Sequence, residues 1–291
     1  MPAVAVVTDS TPYLPRELVA AHGIEEVSLY VTDGDGQRRE SDITDYVAFY
    51  DGLRAGTSLP TTSQPSIGDF LAVYEPLAQA GRDVVSVHLS GGVSGTVESA
   101  RQAAAELAER HPGRRVEVVD SRLVAGAFGA VVLATAAAAD GGRDVDGVAA
   151  RAREASRETT IMFALDTLEF LRRSGRVGGA AAWVGGALKI KPILSLDDDT
   201  GTLEPVERVR TSGRAVQRLV DHLRDRHAAG AGAWVVQHIQ APRDAERLVA
   251  RGREIFGTEP LLVSEIGPVI GAHAGPGLLG VGALPAALLR P

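Results

Sequence analysis

Three polar segments rich in glycine and proline carry most of the side chains able to do chemistry: Thr61-Thr-Ser-Gln-Pro-Ser66, Ser90-Gly-Gly-Val-Ser-Gly-Thr96 and Gly267-Pro-Val-Ile-Gly-Ala-His-Ala-Gly-Pro-Gly277. The first two precede runs that read as helices. A helix start offers unpaired backbone N–H groups and a partial positive charge, and flanking hydroxyls add donors. Either segment alone reads as ordinary capping by Ser and Thr. Two of them together with a histidine in a glycine-rich loop point to an oxyanion site, with a carboxylate or phosphate as its ligand.

Other chemistries fail on spacing. Gly92-Val-Ser94-Gly-Thr96 has threonine where a nucleophile elbow needs its last glycine, and the same loop lacks the Gly-Lys-Ser/Thr ending of a P-loop. The segment 271–277 does not match the dinucleotide fingerprint and no βαβ unit follows it. Residues 33–38 start like a calcium loop but lack its sixth-position glycine. His222 and His227 are five apart and do not share a helix face. Asp197 to Asp199 read as a solvated turn. No metal site and no complete nucleotide-dependent catalyst emerges.

The elements that must position these segments alternate between strand and helix. Strands are expected at 4–7, 27–32, 84–89 and 116–119. Helices are expected at 15–22, at 66–80 with Ser66 as cap and Asp69 in the first turn, from 96 to near 110, and over the alanine-rich 123–139. This rhythm implies a mostly parallel sheet covered on both faces. Beyond it come a short strand at 161–165, a small-residue region at 172–186 that is helical in pieces, and a hairpin of 193–196 with 205–210. A helix over 212–227, a strand at 233–239, a helix reaching 256 and a final strand at 261–265 complete the second half. The fold class is therefore α/β. Two α/β domains are expected, 1–160 with a three-layer, mostly parallel sheet and 161–291 with a mixed sheet and helices. A broad shared interface is expected between them, the kind of place that commonly holds a ligand and where a ligand tunnel is expected, and the last segment is free to pack back on it.

The 291 residues suffice for such an architecture, and an apolar fraction of 45% excludes a mainly disordered chain. No apolar run approaches membrane-spanning length and no secretory signal is visible. The chain contains no cysteine, which removes disulfide and thiolate chemistry. A net charge of −7 disfavours a nucleic-acid partner. These features fit a cytoplasmic location.

The ordered runs Val7-Thr-Asp-Ser-Thr11, Thr62-Ser-Gln-Pro-Ser66, Ser94-Gly-Thr96, Leu168-Glu-Phe-Leu171 with Gly175-Arg176, Ile190-Lys-Pro-Ile193 and 267–277 together resemble the successive signatures of the DegV family, across essentially the whole chain. The resemblance implies a non-catalytic fatty-acid-binding protein, similar to the acyl-carrying (FakB-type) subunit of bacterial fatty acid kinase. There, a separate ATP-dependent kinase phosphorylates the bound carboxylate, a step of phospholipid metabolism. It also implies that Thr62 and Ser94 contact the fatty-acid carboxylate, that His273 stands beside the head group, and that Arg176 supports the polar end. The family often has Ser-Ser-Gly-Leu where this chain has Ser90-Gly91-Gly92-Val93, so Gly91 removes a hydroxyl.

A long acyl chain suits this reading energetically. Burial contributes about 0.8 kcal/mol per CH₂, so a sixteen-carbon chain offers roughly 12 kcal/mol before ordering costs. The polar contacts then chiefly fix orientation. The small-residue segments 178–182 and 185–188 are candidates to leave room for the tail. The expected ligand is a long-chain fatty acid such as palmitate or oleate, with no cofactor. Arg172, Arg173, Arg208, Arg210 and Arg214 are candidates for docking the kinase or, transiently, a membrane. Two alternatives stand beside this reading: a serine hydrolase acting on acyl esters through Ser94 and His273, and a lipid-sensing regulatory protein.

Overall fold

In the computed structural model, residues 3–34, 36–56, 60–184 and 190–291 are described. The opening strand β1 (Val4–Asp9) is buried along its whole length, as a central strand with layers on both faces must be. Helix α1 (Arg16–Ala21) follows Pro15 and leads to β2 (Glu25–Val27). Next come β3 (Tyr30–Asp33), β4 (Gly36–Arg39), α2 (Tyr46–Ala55) and β5 (Thr61–Ser63). Then α3 (Ile67–Gln79), β6 (Asp83–His88), α4 (Thr96–Arg110) and β7 (Val116–Asp120) alternate, before the helical pair α5 (Ala125–Asp140) and α6 (Val145–Glu158).

Strands β1, β2, β6 and β7 form a parallel sheet in the order β2-β1-β6-β7. Aromatic and aliphatic side chains of α3 and α4, among them Phe70, Tyr74 and Leu107, cover one face. Helices α5 and α6 cover the other. The strand order reverses between β1 and β6, so a crevice opens beyond their carboxyl ends. Strands β3, β4 and β5 make a small antiparallel sheet beside that crevice.

The second half begins with β8 (Thr160–Ala164) and the short helix α7 (Glu169–Arg173). It continues through β9 (Lys191–Leu196), β10 (Leu203–Val209), α8 (Ser212–Ala228), β11 (Ala233–His238) and α9 (Pro242–Phe256). It ends with β12 (Val263–Glu265), α10 (Pro268–Ala274) and β13 (Leu279–Leu284). The six strands form one mixed sheet, β10-β9-β8-β13-β11-β12, antiparallel except between β11 and β12. Helices α8 and α9 pack on its outer face around Trp234.

Helix α5 lies between the two sheets. Fifteen of its sixteen residues are buried, and its alanines let both sheets approach closely. A helix apolar all round is one that is enclosed all round. Among the described residues no helix is long and apolar enough to cross a membrane.

Four sequence expectations are corrected. The stretch 27–32 is not one strand. The chain changes sheets at Ser28-Leu29, where the Leu29 N–H turns to Ser10 Oγ at 3.2 Å and its carbonyl accepts from Glu40 N–H at 2.8 Å. The strand at 261–265 is not the last, because β13 follows it and sits centrally between β8 and β11. The segment 267–277 is not a loop throughout, since α10 occupies most of it. It packs against α2, β3 and β5, far from its neighbours in sequence. Finally, the turn after β9 is not merely solvated. Asp197 Oδ1 accepts from Asp199 N–H, Thr200 N–H and the Thr200 hydroxyl, and the turn so formed sits against the loop that starts at Ser90. Helices α2 and α6 were not foreseen.

Candidate functional site

A cavity lies at the crevice beyond β6, enclosed by the loop 89–95, β5, the start of α5, α10 and the inner face of the mixed sheet. Most of its wall is apolar: Leu29, Val124, Ala127, Ile161, Phe163, Leu171, Val235, Ile266 and Leu278 all face it. One set of polar groups joins them, and it includes Thr62, Ser94, Arg176 and His273. The four predicted ligand-binding positions, spread over more than 200 residues, therefore share one cavity.

Each arrives by a different local route. Thr62 sits in β5, whose pairing with β3 sets it opposite Val31. Ser94 ends the tight turn after β6: Ser94 N–H and Val93 N–H both return to the Ser90 carbonyl, at 3.1 and 3.2 Å. Its hydroxyl hydrogen-bonds Thr96 Oγ1 at 2.9 Å. Gly95 holds the cap position of α4 without a side-chain cap, so the start of this fifteen-residue helix meets the cavity. The other helix start behaves differently. Ser66 and Asp69 form a reciprocal capping box on α3, and Asp69 also accepts from Tyr30 and Arg39. There the capping reading is the correct one.

His273 occupies the last turn of α10, and its Nε2 lies 2.7 Å from Thr62 Oγ1. Its Nδ1 is buried and has no hydrogen-bond partner among the described residues. Burial, with a smaller contribution from the Arg176 charge, pushes the imidazole down to about 4, so the ring is neutral near pH 7. Helix α10 ends at Gly275, where φ is +76° and any β-carbon would overlap the Phe170 ring of α7. Arg176 follows α7. Its backbone N–H returns to Leu171 O and its guanidinium donates to Ser174 O at 2.6 Å, leaving an exposed cation at the cavity rim.

The missing hydroxyl at Gly91 does not open a gap in this site. Gly91 lies outside the cavity wall, and a β-carbon there would stand 2.7 Å from Asp120 Oδ2. Gly92 is required for another reason: a β-carbon would overlap the Thr200 carbonyl in the docked turn. The small residues 178–182 also leave the cavity wall alone. Gly178 and Gly179 seat a short 3₁₀ turn against Leu203 and Pro205 of β10. Residues 185–188 lie outside the described residues.

Among the described residues Ser94 and His273 do not form the hydrolase arrangement. Ser94 pairs with Thr96, His273 pairs with Thr62, and among the described residues no carboxylate reaches His273 Nδ1. A Ser-His-Asp chain does exist elsewhere, unannounced by sequence. Ser86 Oγ is 2.7 Å from His88 Nε2, His88 Nδ1 is 3.1 Å from Asp9 Oδ2, and Tyr74 donates to Ser86. All are buried under α3, and none lines the cavity. Asp9 also accepts from Thr11 and from Leu89 N–H, so this network fastens β1 to the end of β6.

Of the arginines named for docking, Arg172 holds Glu169 through two hydrogen bonds of 2.9 and 2.7 Å, and Arg173 binds the same carboxylate at 2.5 Å. These two cations hold the Glu169 carboxyl down to about 2. The guanidinium of Arg208 lies 5.2 Å from the centre of the Trp183 ring. Arg208 and Arg210 are both exposed.

The fold and site define a class: α/β proteins that enclose a mainly apolar cavity between a parallel and a mixed sheet, with hydroxyls and an imidazole in its wall. Within that class the chain belongs to the DegV family, described as a family of uncharacterised proteins, whose model matches residues 3–286. A DegV domain-containing protein of Streptomyces coelicolor is 41% identical over 280 residues, covering 96% of this chain and 97% of the relative. One from Clostridium perfringens is 36% identical over 280 residues, covering 96% and 98%. Among solved structures, a fatty-acid-binding DegV family protein from Thermus thermophilus superposes with a TM-score of 0.86 at 33% identity, covering 98% of this chain and 100% of that one. DegV of Bacillus subtilis, a fatty acid binding protein, gives 0.85 at 32% identity with the same coverage.

Proposed function

We propose that this chain binds a long-chain fatty acid, with its tail in the apolar cavity and its carboxylate among Thr62, Ser94 and His273, and presents that carboxylate to a separate ATP-dependent kinase. The observation that carries the reading is that these three side chains, two of them in direct contact, line one mainly apolar cavity. The fatty-acid-binding DegV proteins of Thermus thermophilus and Bacillus subtilis, each over 30% identical and alike in fold, support it.

The chemistry of the pocket matches the two ends of such a ligand. Tail burial at about 0.8 kcal/mol per CH₂ supplies affinity, while two hydroxyls, the start of α4 and a neutral imidazole orient the anion. Arg176 stands exposed at the rim of the same cavity, which leaves the head-group end within reach of a second protein. Residues 1–160 and 161–291 act as the two lobes that close over the tail. The chain supplies binding and presentation, and the kinase supplies nucleotide and metal.

Mass spectrometry of lipid extracted from the native protein tests the ligand. Long-chain fatty acid is expected in stoichiometric amount, and its absence together with no binding of added palmitate or oleate overturns the reading. Reconstitution with a cognate kinase and ATP tests presentation. Acyl phosphate should form only when this chain is present, and Arg172→Glu combined with Arg173→Glu should slow it without weakening fatty-acid binding.

A further inference from the structure

We propose that Glu40, a buried carboxylate outside the cavity wall, is the positioning residue that holds His273 against Thr62. Helix α10 has only seven residues, so its first-turn N–H groups weigh heavily on where it sits. Pro268 has no N–H, and Gly271 N–H is satisfied within the helix. The two remaining donors go to side chains from the opposite end of the chain: Val269 N–H to Glu40 Oε1 at 2.7 Å, and Ile270 N–H to Tyr13 OH at 3.2 Å. Tyr13 OH donates in turn to Glu40 Oε1 at 2.8 Å, and Ser10 Oγ donates to Glu40 Oε2.

The approach is close. A β-carbon at Gly267, just before the helix, would lie 2.5 Å from the Tyr13 ring, 2.8 Å from Tyr46 OH and 3.1 Å from Glu40 Oε1. Tyr50 OH grips the same segment through the carbonyls of Ile266 and Gly267.

Glu40 also holds the other partner. Its own N–H donates to the Leu29 carbonyl, and Ser10, bound to its carboxylate, accepts from Leu29 N–H. Leu29 leads into β3, and β3 carries β5 with Thr62. One buried carboxylate thus ties together the strand pair that bears Thr62 and the helix that bears His273. It accepts directly from the helix through Val269 N–H and reaches the strand pair through Ser10, which in turn accepts from Leu29 N–H, and losing it would leave Val269 N–H buried and unpaired.

The ligand consequence rests on the function proposed above, but the position of His273 does not. ¹⁵N NMR of the histidine side chains, with His273 assigned by its loss in His273→Gln, reports the Nε2 hydrogen bond and the ring tautomer directly. Glu40→Gln keeps an acceptor for Val269 and Tyr13, and should leave the His273 signals and palmitate affinity within twofold of wild type. Glu40→Leu keeps the volume without the acceptor. It should shift the His273 nitrogens toward a mixture of tautomers and weaken palmitate binding at least fivefold.

Tyr13→Phe, a milder change at the same junction, should move the signals in the same direction, and decides the matter if Glu40→Leu does not fold. Tyr74→Phe, which removes a buried hydrogen bond under α3, should leave them in place. Unchanged His273 signals in folded Glu40→Leu, or in Tyr13→Phe if the former is unfolded, overturn the proposal. Absence of palmitate binding by wild type would instead overturn the fatty-acid reading and leave the nitrogen signals to judge Glu40.

Discussion

Thr62 and His273 meet at 2.7 Å although 211 residues separate them, and this contact joins an edge strand of the small sheet to the helix that closes the cavity. The imidazole is neutral, and among the described residues Thr62 is its one hydrogen-bond partner, so Thr62 fixes the ring. Thr62→Val keeps the shape and removes the hydroxyl. It should weaken fatty-acid binding by about 1–2 kcal/mol, and His273→Ala by about 1–3 kcal/mol. The double variant should fall short of their sum, because each change already breaks the shared hydrogen bond. Titration calorimetry on delipidated protein measures all three, and strict additivity would contradict the coupling.

The candidate site was legible where the signal was local. The polar runs around Thr62 and Ser94 stand out against their apolar flanks, and His273 sits in a recognisable segment. Glu40 was not legible. It lies in Arg38-Arg39-Glu40-Ser41-Asp42, which reads as a solvated charge run, and only the arrival of α10 from the far end of the chain buries it. The strand β13 was hidden for a related reason. Gly280 and Gly282 erase the alternation that marks a strand, yet Gly282 is what lets Ala127 of α5 approach, since a β-carbon there would lie 3.1 Å from that methyl. Helix α10 was obscured by its own prolines and glycines, which tertiary contacts require. In the parallel sheet, β1, β6 and β7 lie close to their expected bounds because valine-rich runs mark them, whereas β2 is displaced from the expected 27–32 to Glu25–Val27, where two exposed glutamates hide the strand.

Titration should separate two buried groups with opposite signs. Burial pushes His273 and His222 down to about 4, so the unfolded chain takes up protons near 6.5 that the folded chain refuses, and stability falls as pH drops through that window. Glu40 is pushed up to about 7 by burial. Its contribution is full below 4.5, where both states are protonated, and is lost as pH rises through 7. Between pH 5 and 6 the two effects oppose each other. Relative to wild type, the slope of unfolding free energy against pH should flatten by about 1.4 kcal/mol per pH unit in His273→Gln, and steepen by about the same in Glu40→Gln. Urea unfolding across that range measures both, and parallel curves would refute the assignment.

The loop that carries Ser94 depends on two glycines facing each other where it meets the turn after β9. A β-carbon at Gly92 would overlap the Thr200 carbonyl, and one at Gly201 would overlap Ser90 Oγ, with φ at +65° adding to the strain. Ser90 Oγ donates to the Gly201 carbonyl at 2.8 Å across the same contact. Gly92→Ala and Gly201→Ala should each cost about 1–3 kcal/mol of stability and loosen head-group fixation, because Ser94 N–H is anchored on Ser90. Gly34→Ala, with open space around its β-position, serves as the control. Thermal unfolding compares the three. A destabilisation no greater than that of Gly34→Ala would mean the turn does not support the loop.

The tail end of the cavity is tested at Gly280, which faces it from β13. The nearest heavy atoms to a β-carbon there are Phe163 Cβ at 3.4 Å, Leu278 Cδ2 at 3.8 Å and Met162 O at 3.9 Å, all at ordinary contact distance. Gly280→Ala should therefore fold and bind much as wild type does. Gly280→Leu extends three more carbons from the same point, and the residues across the cavity belong to the enclosed helix α5, which has sheets on both sides and no room to retreat. The added side chain must then occupy space taken by the ligand. Each displaced CH₂ forfeits about 0.8 kcal/mol, so affinity for long chains should fall steeply while shorter acids lose less. The chain-length distribution of fatty acids extracted from the variant reads this out. A shift to shorter acids is expected, whereas an unchanged distribution in a folded Gly280→Leu protein would mean that the tail runs elsewhere.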